Sequence, residues 1–193
     1  VVPLPVLRRA VVEAEAEKEE VSMRMFLAVA AAVAMLMGRC LGAEVSDELL
    51  DALTITESAA SARADAVGDR ELFHKAYGPL QIRQPYLDDV NRVAGKAVRE
   101  TWGKRALTTE DMKDPEKARW AARVYLGHYG RAYERETGRA PTDQVYARMH
   151  NGGPRGWERS STRAYWAKAS AMLRTVRGML AALAKGEKGE EDG

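Results

Sequence analysis

The chain has 193 residues, 46% hydrophobic and 30% charged, with 30 basic and 28 acidic side chains and a formal net charge of +2. That is ordinary globular composition with room for one domain; it excludes a collagen-like repeat, a fully disordered chain and a polytopic membrane protein. The balanced charge gives no reason to invoke nucleic acid, and the single cysteine, Cys40, excludes an intrachain disulfide.

In chain order, residues 1–22 end in a helix-prone charge run and read as non-native or mis-assigned sequence upstream of a start at Met23. Phe26 to Met37 is unbroken apolar, with Arg24 before it and the small residue Ala43 at the expected cut. A short apolar core with a basic flank is the pattern of a secretory signal peptide, here residues 23–43. The run is too short to span a membrane, which takes about 20 residues; its other reading is a buried core helix. Removal of the leader leaves a domain at 44–184, free of cysteine, and a Gly-rich acidic tail at 185–193 expected to be disordered. Between Glu44 and Leu180 there are 23 basic and 19 acidic residues, a mild basic excess that leans toward an anionic extracellular polymer.

Within the domain, Ser46 is placed to cap a helix carrying Leu49, Leu50 and Leu53 and running into Ile55-Thr56-Glu57-Ser58. The helical period fails from Ala59 to Tyr86, where Gly68-Asp69 and Gly78-Pro79 mark turns and Leu80-Gln81-Ile82 suits a short strand. Val90 to Trp102 resumes the period. Asp114-Pro115 opens a long helix, with a capping acid followed by proline at the first helical position, and Gly138 closes it. Its apolar face holds Ala118, Ala122, Tyr125, Leu126, Tyr129 and Tyr133, tyrosines that read as core before sugar platform. Thr142 opens a short helix that ends near His150 at Asn151-Gly152-Gly153-Pro154, and a last helix carries Tyr165, Trp166, Ala169, Met172, Leu173, Val176, Met179 and Leu180. The expected class is mainly α (α+β), with at most a small β-hairpin.

The chemistry narrows by elimination. There is no Gly-x-Ser-x-Gly and no cysteine after the leader. His74, His128 and His150 lack metal-ligand spacing, and no phosphate loop follows Gly152-Gly153. Carboxylates remain. Glu57 ends an apolar helix, where partial burial disfavours the charged form of an acid and suits it to protonate a leaving oxygen. Asp69 follows in a Gly-Asp turn that should be solvated and ionised. Two carboxyls in such unlike settings match the glycosidase arrangement, although any helical Glu and turn Asp satisfy so loose a pattern.

The order of motifs adds to this. Ile55-Thr56-Glu57-Ser58, then Tyr77-Gly78-Pro79-Leu80-Gln81-Ile82, then Tyr125-Leu126-Gly127-His128-Tyr129-Gly130 are followed by Ala147-Arg148-Met149-His150-Asn151-Gly152-Gly153-Pro154 and Thr162-Arg163-Ala164-Tyr165-Trp166. In that order the sequence resembles the lysozyme superfamily, in particular the invertebrate-type (destabilase) lysozymes and, more loosely, the soluble lytic transglycosylases. The resemblance implies a lysozyme-like helical domain that cleaves the β-1,4 bond between N-acetylmuramic acid and N-acetylglucosamine in peptidoglycan, monomeric and with no metal or cofactor. It implies Glu57 as catalytic acid, Asp69 as second carboxylate, and Gln81, Ile82, His150, Asn151 and Gly152 as lining of a saccharide cleft.

Physical roles fit those positions. The Gln81 amide suits sugar hydroxyls and N-acetyl groups, Gly152 permits close backbone approach, and Tyr77 and Trp157 offer faces to pyranose rings. Other readings stand beside these: Gln81 as an internally bonded amide, His150 as a cationic helix end, Asn151 to Gly153 as a helix stop, and Arg148 and Arg155 as solvated or as contacts to wall carboxylates. The chain departs from invertebrate-type lysozymes in lacking their disulfides. Three activities remain open: a muramidase, a lytic transglycosylase that leaves anhydro-muramic ends at the same glutamate, and a binding module that has lost catalysis.

Overall fold

The chain divides into two units, residues 1–41 and 42–193. A computed structural model describes residues 44–58, 67–68 and 75–190, all within the second unit. The leader expected at 23–43, the upstream segment 1–22 and the residue Asp69 lie outside the described residues. No helix among the described residues is long and apolar enough to cross a membrane.

The first helix, α1 (Asp47–Ser58), starts where a capping side chain allows it: the Leu49 N–H donates to Ser46 Oγ at 3.2 Å. Asp47 and Glu48 fill the first turn, where the helix dipole favours anions. Leu49, Leu50, Ala52 and Leu53 are fully buried, and the helix packs most extensively on the last helix of the domain. Arg119 and Arg123, from a third helix, hold the Asp47 carboxyl, and Arg119 also holds Asp51. The Arg119 hydrogen bond is the main reason the Asp47 pKa lies below its ordinary value.

Three two-residue strands follow, β1 (Val67–Gly68), β2 (Ala76–Tyr77) and β3 (Ile82–Arg83), in one antiparallel sheet with β2 in the middle. The register pairs Gly68 with Ala76 and Tyr77 with Ile82. The β element is thus one strand larger than the expected hairpin, because a pairing to Val67-Gly68 in a stretch without helical period completes it. The β2–β3 turn is closed twice onto the Gly78 carbonyl, by the Gln81 N–H at 3.0 Å and by Gln81 Nε2 at 2.8 Å.

Helix α2 (Gln84–Trp102) begins six residues before the periodicity suggests, since Pro85 fits the first helical turn and Tyr86 and Leu87 are already buried. It departs from helical geometry at Ala94 and ends on Gly103 in the left-handed conformation. A short 3-10 turn (Asp111–Lys113) leads to α3 (Pro115–Thr137). The α3 cap is the expected one: Asp114 accepts from the Glu116 and Lys117 N–H groups, with Pro115 next and Gly138 at the end. Helix α4 (Asp143–Gly152) is capped by Thr142 and stops at Gly153.

A second 3-10 turn (Ser160–Thr162) leads into α5 (Arg163–Glu190). Ala169, Leu173 and Val176 of α5 are buried, but Met179 and Leu180 are 62% and 46% exposed. The apolar stripe therefore outlasts the surface it packs against. The helix also runs to Glu190, so residues 185–190 are helical where a tail was expected; the Ala- and Leu-rich run into Lys185 favours continued helix. The architecture is mainly α. The tyrosines of α3 divide as expected of a core face, with Tyr125 buried and Tyr129 and Tyr133 packed against the core from its edge.

Candidate active site

Glu57 is the penultimate residue of α1, and its side chain is 20% exposed. The helix that carries it is anchored by four buried residues, so the carboxyl is held against the core yet open on one side. His150, in the last turn of α4, lies behind it with Nε2 3.7 Å from Glu57 Oε1. That imidazole is only 3% exposed, and its Nε2–H donates to the Leu80 carbonyl at 3.1 Å.

The bond to Leu80 decides the tautomer: with the proton on Nε2, Nδ1 is a bare acceptor, and it is buried with no hydrogen-bond partner. Burial lowers the His150 pKa below its ordinary value, outweighing the Glu57 charge and the Leu80 bond, which act the other way. The imidazole is therefore neutral near pH 7. It is neither the exposed cleft contact nor the cationic helix end considered from sequence.

Two tyrosines complete the enclosure. The Tyr86 ring meets His150 edge-on, with centroids 5.7 Å apart, and stacks on Tyr125 on its other side. Tyr165 of α5 lies beside His150, centroids 6.4 Å apart. Its buried hydroxyl closes no hydrogen bond. Burial pushes its pKa well above the usual phenol value, and the nearby Glu57 carboxylate adds to this. Glu57 thus stands against a neutral imidazole and an un-ionised phenol, with no cation on that side among the described residues. Sequence periodicity placed Tyr165 on the apolar face of the last helix, where nothing in the local pattern distinguishes it from Trp166, and left Tyr86 at the end of a stretch without helical period.

The glycine-proline turn holds Leu80 in place for His150. Gly78 has φ +72°, and a Cβ there would stand 1.7 Å from the Met112 carbonyl oxygen, so only glycine fits. Gln81 has φ +48°, an uncommon conformation for a residue with a side chain. Its Nε2 is used inside the turn, which leaves only the amide oxygen for a ligand.

Ile82 is 1% exposed and belongs to the core, because the pleat of β3 turns it inward and its neighbour Arg83 outward. Tyr77 is half-buried beside it. Asn151 is exposed on α4 and has no hydrogen-bond partner among the described residues. Gly152 serves packing: a Cβ there would come within 2.5 Å of Thr162 Cγ2. Trp157 is half-buried, edge-on to Tyr133 at 5.0 Å. Arg148 is committed to Thr162 Oγ1 and the Arg159 carbonyl, and Arg155 to Glu136 and Glu158. Both arginines therefore work within the fold. Of the sequence candidates, Glu57, His150 and the Tyr77-to-Ile82 turn converge. His150 and Ile82 do so as buried supports and not as cleft surface.

The arrangement suits general-acid chemistry. A half-buried carboxyl open on one side, with no Lys or Arg partner among the described residues, is placed to pass a proton to an oxygen leaving group. Among the described residues no group of His, Cys, Asp and Glu could hold a metal ion.

No protein-family model matches the chain, and no curated protein matches its sequence. Solved structures do. The crystal structure of Aeromonas hydrophila PliI in complex with Meretrix lusoria lysozyme matches 65% of this chain over 88% of its own, at 23% identity and a TM-score of 0.50. Inhibitor-bound lysozyme from Meretrix lusoria matches with the same values. Tapes japonica lysozyme matches 64% of this chain over 87% of its own, at 24% identity and a TM-score of 0.50. The chain has a lysozyme-like fold.

Proposed function

We propose that the protein is a muramidase that hydrolyses β-1,4 bonds between N-acetylmuramic acid and N-acetylglucosamine in peptidoglycan. The observation that carries this reading is the Glu57 carboxyl, one-fifth exposed and backed by neutral His150, in a lysozyme-like fold. Glu57 gives its proton to the glycosidic oxygen as the bond to the anomeric carbon breaks. Asp69, directly after β1 in the sequence, is the carboxylate that stabilises the oxocarbenium-like state or attacks the anomeric carbon, and water completes hydrolysis. Asn151, the Gln81 amide oxygen and Tyr77 are the sugar contacts we favour, with Trp157 at a more distant position. The polymer lies outside the cytoplasm, and residues 23–43 are the leader that would deliver the enzyme to it.

Mass spectrometry of fragments released from purified peptidoglycan tests the proposal. Reducing muramic ends made by the protein and lost with Glu57→Gln support it; the substitution should lower kcat by about a hundredfold or more. Asp69→Asn should also give a large loss. Anhydro-muramic ends, with near-normal rate in Asp69→Asn, would replace hydrolysis by transglycosylation at the same glutamate. Cleavage undiminished in Glu57→Gln would refute the assignment.

A further inference from the structure

Helices α2 and α3 leave a groove of about 520 Å³ between them, a volume typical of small-ligand sites. Val93, Ala94, Ala97 and Val124, all half-buried, make its floor. The space stays open because Ala94 and Ala97 of α2 and Gly127 of α3 are too small to fill it, and α2 departs from helical geometry at Ala94.

The rim is charged. Arg131 is exposed and has no acidic partner among the described residues. Lys96 and Glu100, with side chains 82% and 63% exposed, pair loosely at 3.7 Å, and such a pair opens at little cost. Arg123 is already held by Asp47. Among the described residues no aromatic side chain lines the groove, so it lacks the flat face on which a pyranose ring packs. One unpaired guanidinium is too few for a polyphosphate chain, which binds through many cations. The groove matches a short peptide with small apolar side chains, a carboxylate for Arg131 and an amine for Glu100.

We propose that this groove binds the peptide arms of peptidoglycan, with alanine methyls on the floor and a free carboxylate on Arg131. This rests on the reading of peptidoglycan as substrate. Val93 lies two turns beyond Tyr86, about 10 Å along α2. A four-residue arm extends about 13 Å, which matches that spacing from the wall of the Glu57 site. The docked arm anchors the polymer and takes no part in bond cleavage.

Isothermal titration of the full chain with a sugar-free Ala-γ-Glu-Lys-Ala peptide tests the proposal. Arg131→Glu, at an exposed position, and Ala97→Leu, which fills the floor, should each weaken binding about tenfold or more. Arg135→Glu makes the same charge change one turn along α3, outside the groove, and should alter binding by less than about twofold. With whole peptidoglycan, Arg131→Glu should raise KM about tenfold and leave kcat unchanged; with glycan stripped of its peptides it should change neither. No binding of the peptide, equal losses in Arg131→Glu and Arg135→Glu, or binding of a glycerol phosphate polymer in preference to the peptide would overturn the proposal. Peptide binding by a protein that cleaves no glycan would uphold the groove and refute the muramidase reading. Glycan cleavage without peptide binding would do the reverse.

Discussion

Gly78 is the glycine on which the site's geometry most depends, and its replacement by alanine gives a sharp test. At Gly78 the backbone is left-handed at φ +72°, and a Cβ would stand 1.7 Å from the Met112 carbonyl oxygen and 2.6 Å from its carbon. Gly103, which ends α2, is also left-handed at φ +62°, but nothing lies within 4 Å of its Cβ position. The conformational penalty of about 1–2 kcal/mol applies to both. Only Gly78→Ala adds a backbone clash.

The 3-10 turn it strikes cannot easily swing away, because Asp111 in that turn accepts from the Thr108 N–H and hydroxyl and from Lys104. Forcing one methyl group into such packing adds about 1–3 kcal/mol. Gly78→Ala should therefore cost about 3–4 kcal/mol in all, and Gly103→Ala about 1 kcal/mol. With a urea m-value of about 2 kcal/mol/M, the unfolding midpoints should fall by about 1.5–2 M and about 0.5 M respectively. Because the same turn presents Leu80 to His150, the Gly78 variant should also lose activity at urea concentrations where it is still folded, and the Gly103 variant should not. Equal midpoint shifts for the two substitutions would show that the contact with Met112 does not constrain the turn.

Other outcomes follow from the buried polar groups. The His150 pKa is lower folded than unfolded, so the unfolded chain binds the extra proton first; stability is full above about pH 6.5 and falls as pH drops below it, by at most about 1.4 kcal/mol per pH unit. His128 is lowered too, by burial and then by Arg92, so His150→Gln should flatten the pH 7-to-5 loss in urea unfolding without abolishing it. A slope unchanged by His150→Gln would mean that the imidazole is charged in the folded protein. Asp111 is 5% exposed, and its Lys104 and Thr108 bonds hold its pKa down to about 2 against burial, from 3.8. That carboxylate contributes about 2 kcal/mol at neutral pH, lost as pH falls from about 4 to 2, and Asp111→Asn should remove both the contribution and that acid transition. Thr162 is 2% exposed; its Oγ1 donates to the Gly156 carbonyl at 2.7 Å and accepts from Arg148 Nε at 2.9 Å. Thr162→Val keeps the methyl against Gly152 and should cost about 2 kcal/mol in thermal unfolding, from two orphaned partners.

Much of this molecule is local in origin and was legible residue by residue. Ser46, Asp114-Pro115 and Thr142 start helices because a short oxygen-bearing side chain satisfies free N–H groups, and Gly138 ends one because it alone takes the left-handed turn without strain. Those signals act over three or four residues, so they survive without any knowledge of the fold, and they place Glu57 at the end of its helix.

Contacts across the chain were decided elsewhere. The His150 bond spans 70 residues to the Leu80 carbonyl, and the Gly78 requirement comes from the Met112 backbone. Ile82 and Gly152 resemble cleft positions in sequence, but the pleat of β3 and the seat of Thr162 turn them to structural use. Tyr165 looks like any other aromatic on a helix face until α5 packs on α1 and its ring comes to lie beside His150. A backbone pattern records which side of an element faces inward; only the packed whole determines what polar group it meets there, because burial and partner are properties of the assembled space and not of the residue.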